Sequence, residues 1–199
     1  MNVMKQRMLR GDLYIADDPV LLADLERAQD LLDRYNRTRH HEQDERDRLL
    51  RSLLGDVGDG VVVKPTFRCD YGSPITIGAG TFVNYDCVML DVAPITIGSA
   101  CQIATRVQLL TAAHTVDPGP RRSGWEYARP IAVGDNVWLG GGVIVCPGVT
   151  IGDDTVVGAG SVVTRDLPPG VVAYGAPAKV QRTIDESDRV EVPPLPGAP

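Results

Sequence analysis

Residues 133–163 read V-G-D-N-V-W-L-G-G-G-V-I-V-C-P-G-V-T-I-G-D-D-T-V-V-G-A-G-S-V-V. Every sixth position is aliphatic: Val133, Leu139, Val145, Ile151, Val157 and Val163. Four residues after each of these stands a second small or aliphatic side chain: Val137, Val143, Val149, Thr155, Ser161 and Leu167. A period of six belongs neither to an amphipathic helix nor to an alternating strand. It fits a prism in which each sextet supplies one short strand and one corner, and three sextets close a triangular coil. The aliphatic residue then points into a narrow interior and stacks on its equivalents in adjacent coils. No coil buries its inner face alone, so stability comes from stacking and each end needs a cap.

Upstream the same register runs through Ile77, Val83, Met89 and Ile95, slips by two residues to Ile97, and continues through Ile103 and Leu109. It lapses over about residues 111–130 and resumes at Ile131. The lapse contains A-A-H-T-V-D-P-G-P-R-R-S-G-W-E-Y-A-R-P (112–130), opening close to His114, one of three histidines in the chain. An irregular excursion of this length from a tightly wound fold is commonly functional.

The first 54 residues differ in texture. Asp18-Pro19 is a cap and first-turn pair, followed by a helical stripe at Leu21, Leu25, Ala28, Leu32 and Tyr35. E-Q-D-E-R-D-R-L-L-R-S-L-L (42–54) forms a second amphipathic stretch that stops at Gly55. Two helices are therefore expected within a cap region over residues 1–55, with the β domain over 56–183. The acidic, Pro-rich tail at 184–199 is expected to be disordered.

A net charge of −6 offers no basic field for nucleic acid. No apolar stretch approaches the ~18–20 residues that span a bilayer, so no membrane association is expected. The first residues lack an apolar signal core, and the expected location is cytoplasmic. Cys69, Cys87, Cys101 and Cys146 have no zinc spacing and read as small buried hydrophobes.

Several segments narrow the class: P-T-F-R-C-D-Y-G (65–72), N-Y-D-C-V-M-L-D (84–91), D-N-V-W-L-G-G-G (135–142), P-G-V-T-I-G-D (147–153) and S-V-V-T-R-D (161–166). With M-L-R-G-D-L-Y and R-Y-N near the start, they resemble the maltose and galactoside O-acetyltransferases over roughly residues 1–183. The resemblance implies a mainly β fold, a left-handed parallel β-helix of hexapeptide repeats with an N-terminal α-helical cap and a loop excursion at about 111–130. It also implies acetyl-CoA as co-substrate, no metal, a homotrimer, and a maltose-, glucose- or galactoside-type acceptor. Thr115 departs from the family, which usually has Pro directly after the catalytic His.

Moving an acetyl group from a thioester to a hydroxyl needs a base, and a neutral imidazole supplies ~10²–10⁴-fold. An arbitrary histidine on an excursion is more often surface, but His114 coincides with the family's catalytic position. No serine or cysteine stands in a nucleophile motif, which favours direct transfer. Asn84 lies at a corner, where Asn most often satisfies its own backbone; the resemblance makes it a contact to the reacting groups. Gly141 lies in W-L-G-G-G, where glycines let a ligand reach the backbone or simply let coils pack; by resemblance its amide faces the thioester. Trp138 precedes the inward Leu139 and should face outward.

By resemblance, Ala159 and Thr164 contact the pantetheine arm, and Arg165, Lys179 and Arg182 the phosphates. Basic residues singly are more often solvated surface; their gathering beyond the last coils of an acidic chain favours the anion. Asp70 matches an acceptor contact, with Asp17 and Glu126 as further candidates, since carboxylates accept hydrogen bonds from sugar hydroxyls. Other acceptors fit the same chemistry: an antibiotic, serine or a lipid-linked sugar. A prism-type carbonic anhydrase needs three histidines brought together, and His40 and His41 lie in the helical region. A non-catalytic scaffold is the remaining alternative, because a prism alone implies no chemistry.

Overall fold

The computed structural model describes residues 2–193. Three helices open the chain. Helix α1 (Val3–Arg10) is capped by Asn2, whose Oδ1 accepts from the amides of Met4 and Lys5, and it stops at Gly11 in the left-handed region (φ 73°). The periodicity did not predict this helix, because its apolar stripe is only two residues long, Met8 buried and Met4 half-buried beside it. Helix α2 (Pro19–Asn36) follows the expected Asp18 cap and buries Leu21, Ala28, Leu32 and Tyr35. Helix α3 (Gln43–Leu53) buries Leu49, Leu50 and Leu53.

From Asp56 the chain winds a triangular prism of parallel strands. Its first face stacks Asp56–Val57, Ile75–Ile77, Ile95–Ile97, Ile131–Val133 and Thr150–Ile151. The second stacks Val62–Val63, Phe82–Val83, Gln102–Ile103, Trp138–Leu139, Val156–Val157 and Val171–Gly175, with Ala178–Thr183 added antiparallel at the end. The third stacks Phe67–Cys69, Cys87–Leu90, Gln108–Leu110, Ile144–Val145 and Val162–Val163. The sextet residues form the interior: Leu139, Val145, Val157 and Val163 are 0% exposed, and their small companions Val137, Val143, Thr155 and Ser161 are buried beside them. Each such aliphatic side chain contributes ~1.5–3 kcal/mol on burial. Cys69, Cys87 and Cys101 are buried in this core and Cys146 is half-buried; all four are free thiols.

The two-residue slip has a geometric cause. Val57 pairs with Ile77 and Ile77 with Ile97, so the first coils take twenty residues, whereas Val133 pairs with Ile151 and takes eighteen. The extra pair sits where the chain passes from the third face to the first, at Asp70–Pro74 and Asp91–Pro94. That corner is wider than the others.

Helix α2 closes the open rung at the start of the prism. Asn36 donates to the Phe67 carbonyl and accepts from its amide, both at 2.9 Å, and the Tyr35 hydroxyl donates to the Val63 carbonyl at 2.6 Å. These contacts occupy strand-edge groups that would otherwise template another chain.

The excursion is folded rather than a loop. Ala112–His114 pairs antiparallel with Trp125–Ala128, and Tyr14–Ile15 from the cap region adds a third strand. Between the two arms lies the short helix α4 (Pro118–Arg122), capped by Asp117. Thr115 does not leave this turn loose: its hydroxyl donates to the Asp117 carbonyl, and Arg121 donates to the Thr115 and Val116 carbonyls. At the other end, Glu186–Asp188 forms a 3-10 turn; the expectation of disorder for residues 194–199 lies outside the described residues.

Candidate functional site

The sequence-derived candidates fall on two different edges of the prism. Asn84 and Gly141 occupy the edge between the second and third faces, together lining an open cleft of about 730 Å³ with Tyr85, Asp86, Thr105, Arg106 and Gly142. Asn84 Oδ1 accepts from the Tyr85 amide at 2.8 Å. That is the self-satisfying arrangement common for Asn in a turn, and it leaves the Nδ2 group to donate outward.

The glycines at 140 and 141 differ in kind. A Cβ on Gly140 would lie 2.6 Å from the Ala159 amide nitrogen, so stacking of the coils demands glycine there. A Cβ on Gly141 would meet nothing closer than the Thr105 carbonyl at 3.6 Å, and its backbone is not left-handed. Among the described residues the Gly141 N–H donates to no acceptor. Nothing among the described residues requires glycine at 141, and an uncommitted donor there is open to a ligand. Ala159 stacks on the next coil of the same edge, where the Gly160 amide donates to the Gly141 carbonyl at 2.9 Å. Trp138 lies outward on the second face and is 54% exposed, as its register predicts.

His114, Asp70 and Glu126 lie on the other side of the third face, at its edge with the first. Adjacent strands align Tyr14 with Glu126 and Glu126 with His114, which puts three side chains on one side of the small sheet. His114 is exposed, with Nε2 3.9 Å from Glu126 Oε2. Tyr14 is fully buried and its hydroxyl has no hydrogen-bond partner among the described residues. Burial and the nearby Glu126 charge push its ionisation far upward.

Asp17, Asp70 and Glu126, proposed one by one from the sequence, line one cavity of about 440 Å³. Its remaining wall is Ala16, Leu22, Leu25, Tyr71, Leu90, Val92 and Ala112. The cavity therefore offers carboxylate acceptors against an apolar surface, and among the described residues no cationic side chain lines it. Burial first, then the Asp91 and Glu126 charges, raise the Asp70 pKa from 3.8 to about 6. Asp91, Tyr71 and Tyr14 went unnoticed in the sequence; the register slip at Ile95–Ile97 was the available signal, since it marks the widened corner that forms the cavity floor.

The cofactor candidates are more dispersed. Thr164 and Arg165 sit on a corner between the third and first faces, and Lys179 and Arg182 lie on the terminal antiparallel strand; all four are exposed. Arg182 is not a free cation: both its terminal nitrogens donate to Asp188, at 2.6 and 2.7 Å, and this contact holds the Asp188 pKa down to about 2.

Stacked hexapeptide coils interrupted by a histidine-bearing arm define a hexapeptide-repeat acyltransferase. Comparison with known proteins agrees. The family model for the maltose acetyltransferase hexapeptide capping motif matches residues 7–58, and that for the bacterial transferase hexapeptide (six repeats) matches residues 130–165. Nodulation protein L of Rhizobium meliloti (strain 1021) is 50% identical over 180 residues, covering 90% of this chain and 98% of that protein. A maltose O-acetyltransferase from Clostridium difficile 630 is similar with a TM-score of 0.91 and 46% identity, over 93% of this chain and 99% of that one. A galactoside acetyltransferase solved in complex with coenzyme A matches with a TM-score of 0.91 and 37% identity, over 94% of each chain. The chain belongs to the maltose and galactoside O-acetyltransferase family.

Proposed function

We propose that the protein transfers the acetyl group of acetyl-CoA directly to a sugar hydroxyl of the maltose, glucose or galactoside type. The observation that carries this reading is the uncommitted Gly141 N–H beside the outward Asn84 amide, at a glycine the chain's own packing does not need. Two such donors suit the oxyanion that forms when a thioester carbonyl is attacked. His114 takes the proton as the acceptor oxygen bonds to the acetyl carbon; the C–S bond then breaks, and the sulfur leaves as the thiol after recovering that proton. Glu126 Oε2 lies 3.9 Å from the His114 Nε2, beside the imidazole that carries the proton. Asp17, Asp70 and Glu126 accept hydrogen bonds from acceptor hydroxyls, and Arg165, Lys179 and Arg182 face the cofactor phosphates, with Ala159 and Thr164 along its arm.

The third face separates His114 from Asn84 and Gly141, so one chain does not assemble the whole set. A homotrimer, in which the edge of one chain meets the other edge of its neighbour, supplies the missing half. Four free thiols suit a reducing, cytoplasmic setting. The apolar wall formed by Leu22, Leu25, Leu90 and Val92 also favours a second reading of the acceptor, a hydroxyl compound carrying an apolar group such as a lipid-linked sugar or an antibiotic.

The test is thiol release from acetyl-CoA in the presence of maltose, glucose or a methyl galactoside. His114→Ala is expected to lower the rate by at least ~100-fold. A variant that works at near wild-type rate removes His114 from the mechanism.

A further inference from the structure

The turn that carries Asp70 into the acceptor cavity is gripped from both sides. Asp91 is fully buried, and its carboxylate accepts from three consecutive backbone amides: Asp70 at 2.7 Å and Tyr71 at 3.0 Å on Oδ1, and Gly72 at 2.6 Å on Oδ2. On the opposite side, Gln29 of α2 donates its Nε2 to the carbonyls of Cys69 at 2.9 Å and Asp70 at 3.3 Å. Gly72 closes the turn at φ +75°, and a Cβ there would lie 2.5 Å from the Leu53 carbonyl.

A buried carboxylate is costly unless hydrogen bonds take up its charge. Closing a corner does not require one. The eighteen-residue coil makes the same passage between Val145 and Ile151 with two fewer residues, and no buried carboxylate lies in it. Asp70 itself gains nothing from its position: its side chain makes no hydrogen bond among the described residues, and burial with two neighbouring carboxylates disfavours its charge. What fixes Asp70 is its backbone.

We propose that Asp91 and Gln29 are positioning residues of the acceptor site, a two-sided clamp that sets the Asp70 carboxylate across the cavity from Asp17 and Glu126. This inference depends on the acetyl-transfer reading above, with the cavity as the acceptor subsite. The clamp also explains why the helical cap is built into the chemistry: one of its two jaws comes from α2.

The experiment measures both substrates in full-length Asp91→Asn and Gln29→Leu proteins. Displacing a binding group by about an ångström costs on the order of 100-fold, so kcat/KM for the acceptor is expected to fall ~100-fold in Asp91→Asn and about tenfold in Gln29→Leu. KM for acetyl-CoA stays within about twofold of wild type. The readout that a merely structural role would not give is coupling: in an Asp70→Asn background, neither substitution lowers acceptor kcat/KM by more than about twofold. Should Asp91→Asn fail to fold, Gln29→Leu decides alone, because Gln29 is half-buried on a helix surface. Parallel loss of affinity for both substrates, unchanged acceptor kinetics in Gln29→Leu, or full effects persisting in the Asp70→Asn background each overturn the clamp. A wild-type protein that acetylates no hydroxyl acceptor overturns the acetyl-transfer reading instead.

Discussion

Replacing Asp70 by Asn should make the protein more stable at neutral pH while weakening its acceptor chemistry. Burial and the charges of Asp91 and Glu126 hold the Asp70 pKa at about 6 instead of 3.8. Between those values the folded chain binds more protons than the unfolded one, so stability falls as pH rises from about 4 to about 6 and stays lowered above. The full cost of ionising Asp70 in the fold is at most about 3 kcal/mol. Asn is isosteric and uncharged, and Asp70 has no hydrogen bond to lose, so Asp70→Asn recovers part of that cost above pH 6 and nothing near pH 4. For a chain of this size, recovering about half of that cost corresponds to on the order of 3–6 °C in Tm. The assay is thermal or denaturant unfolding of both proteins at pH 4.5, 6 and 8. A stability difference that does not change with pH, or a variant less stable at pH 8, refutes the assignment of Asp70 as a half-buried carboxylate whose charge the fold disfavours.

Further outcomes concern the two edges and the core. Gly141→Ala should fold with unchanged Tm, since its Cβ meets ordinary contacts, yet lose ~10²–10³-fold in kcat by crowding an oxyanion donor; Gly140→Ala should instead destabilise, because its Cβ strikes Ala159. Asp188→Asn should lower KM for acetyl-CoA by up to about fivefold by freeing Arg182 for a phosphate, a modest figure because the pair is solvent-screened; a raised KM would mean Asp188 holds Arg182 in place. Mixing inactive His114→Ala and Asn84→Ala subunits during refolding should restore a fraction of wild-type thiol release, and no recovery would count against a site shared between chains. Leu139→Ala, which empties a fully buried rung, should cost ~2–5 kcal/mol in unfolding free energy.

The prism was legible because each sextet residue does one thing, filling a narrow interior, so composition repeats where geometry repeats. Helix α2 was legible for the same reason: its cap and stripe are local. Helix α1 was not, because its apolar contact with the chain comes down to Met4 and Met8, too few to set a period. The hairpin in the excursion stayed hidden since its third strand, Tyr14–Ile15, comes from the far end of the sequence, and no local pattern announces such a pairing. Asp70, Asp17 and Glu126 could be named singly, but their meeting in one cavity depends on the widened corner and the hairpin together. Asp91 lies inside the apolar run V-M-L-D-V, where residue type gives no sign that a carboxylate is buried and saturated with amides. Sequence alone shows Arg182 as an available cation, because its partner Asp188 belongs to a segment with no periodic signal.

Coils of twenty and of eighteen residues share one column of rungs without disturbing it, because surplus length is absorbed entirely at a vertex. On the proposed acceptor site, the vertex shapes the cavity while the column carries the core. Lengthening or trimming a vertex would reshape what the molecule accepts while the column beneath remains the same, so new specificities can arise by insertion at a place where insertion costs the scaffold almost nothing.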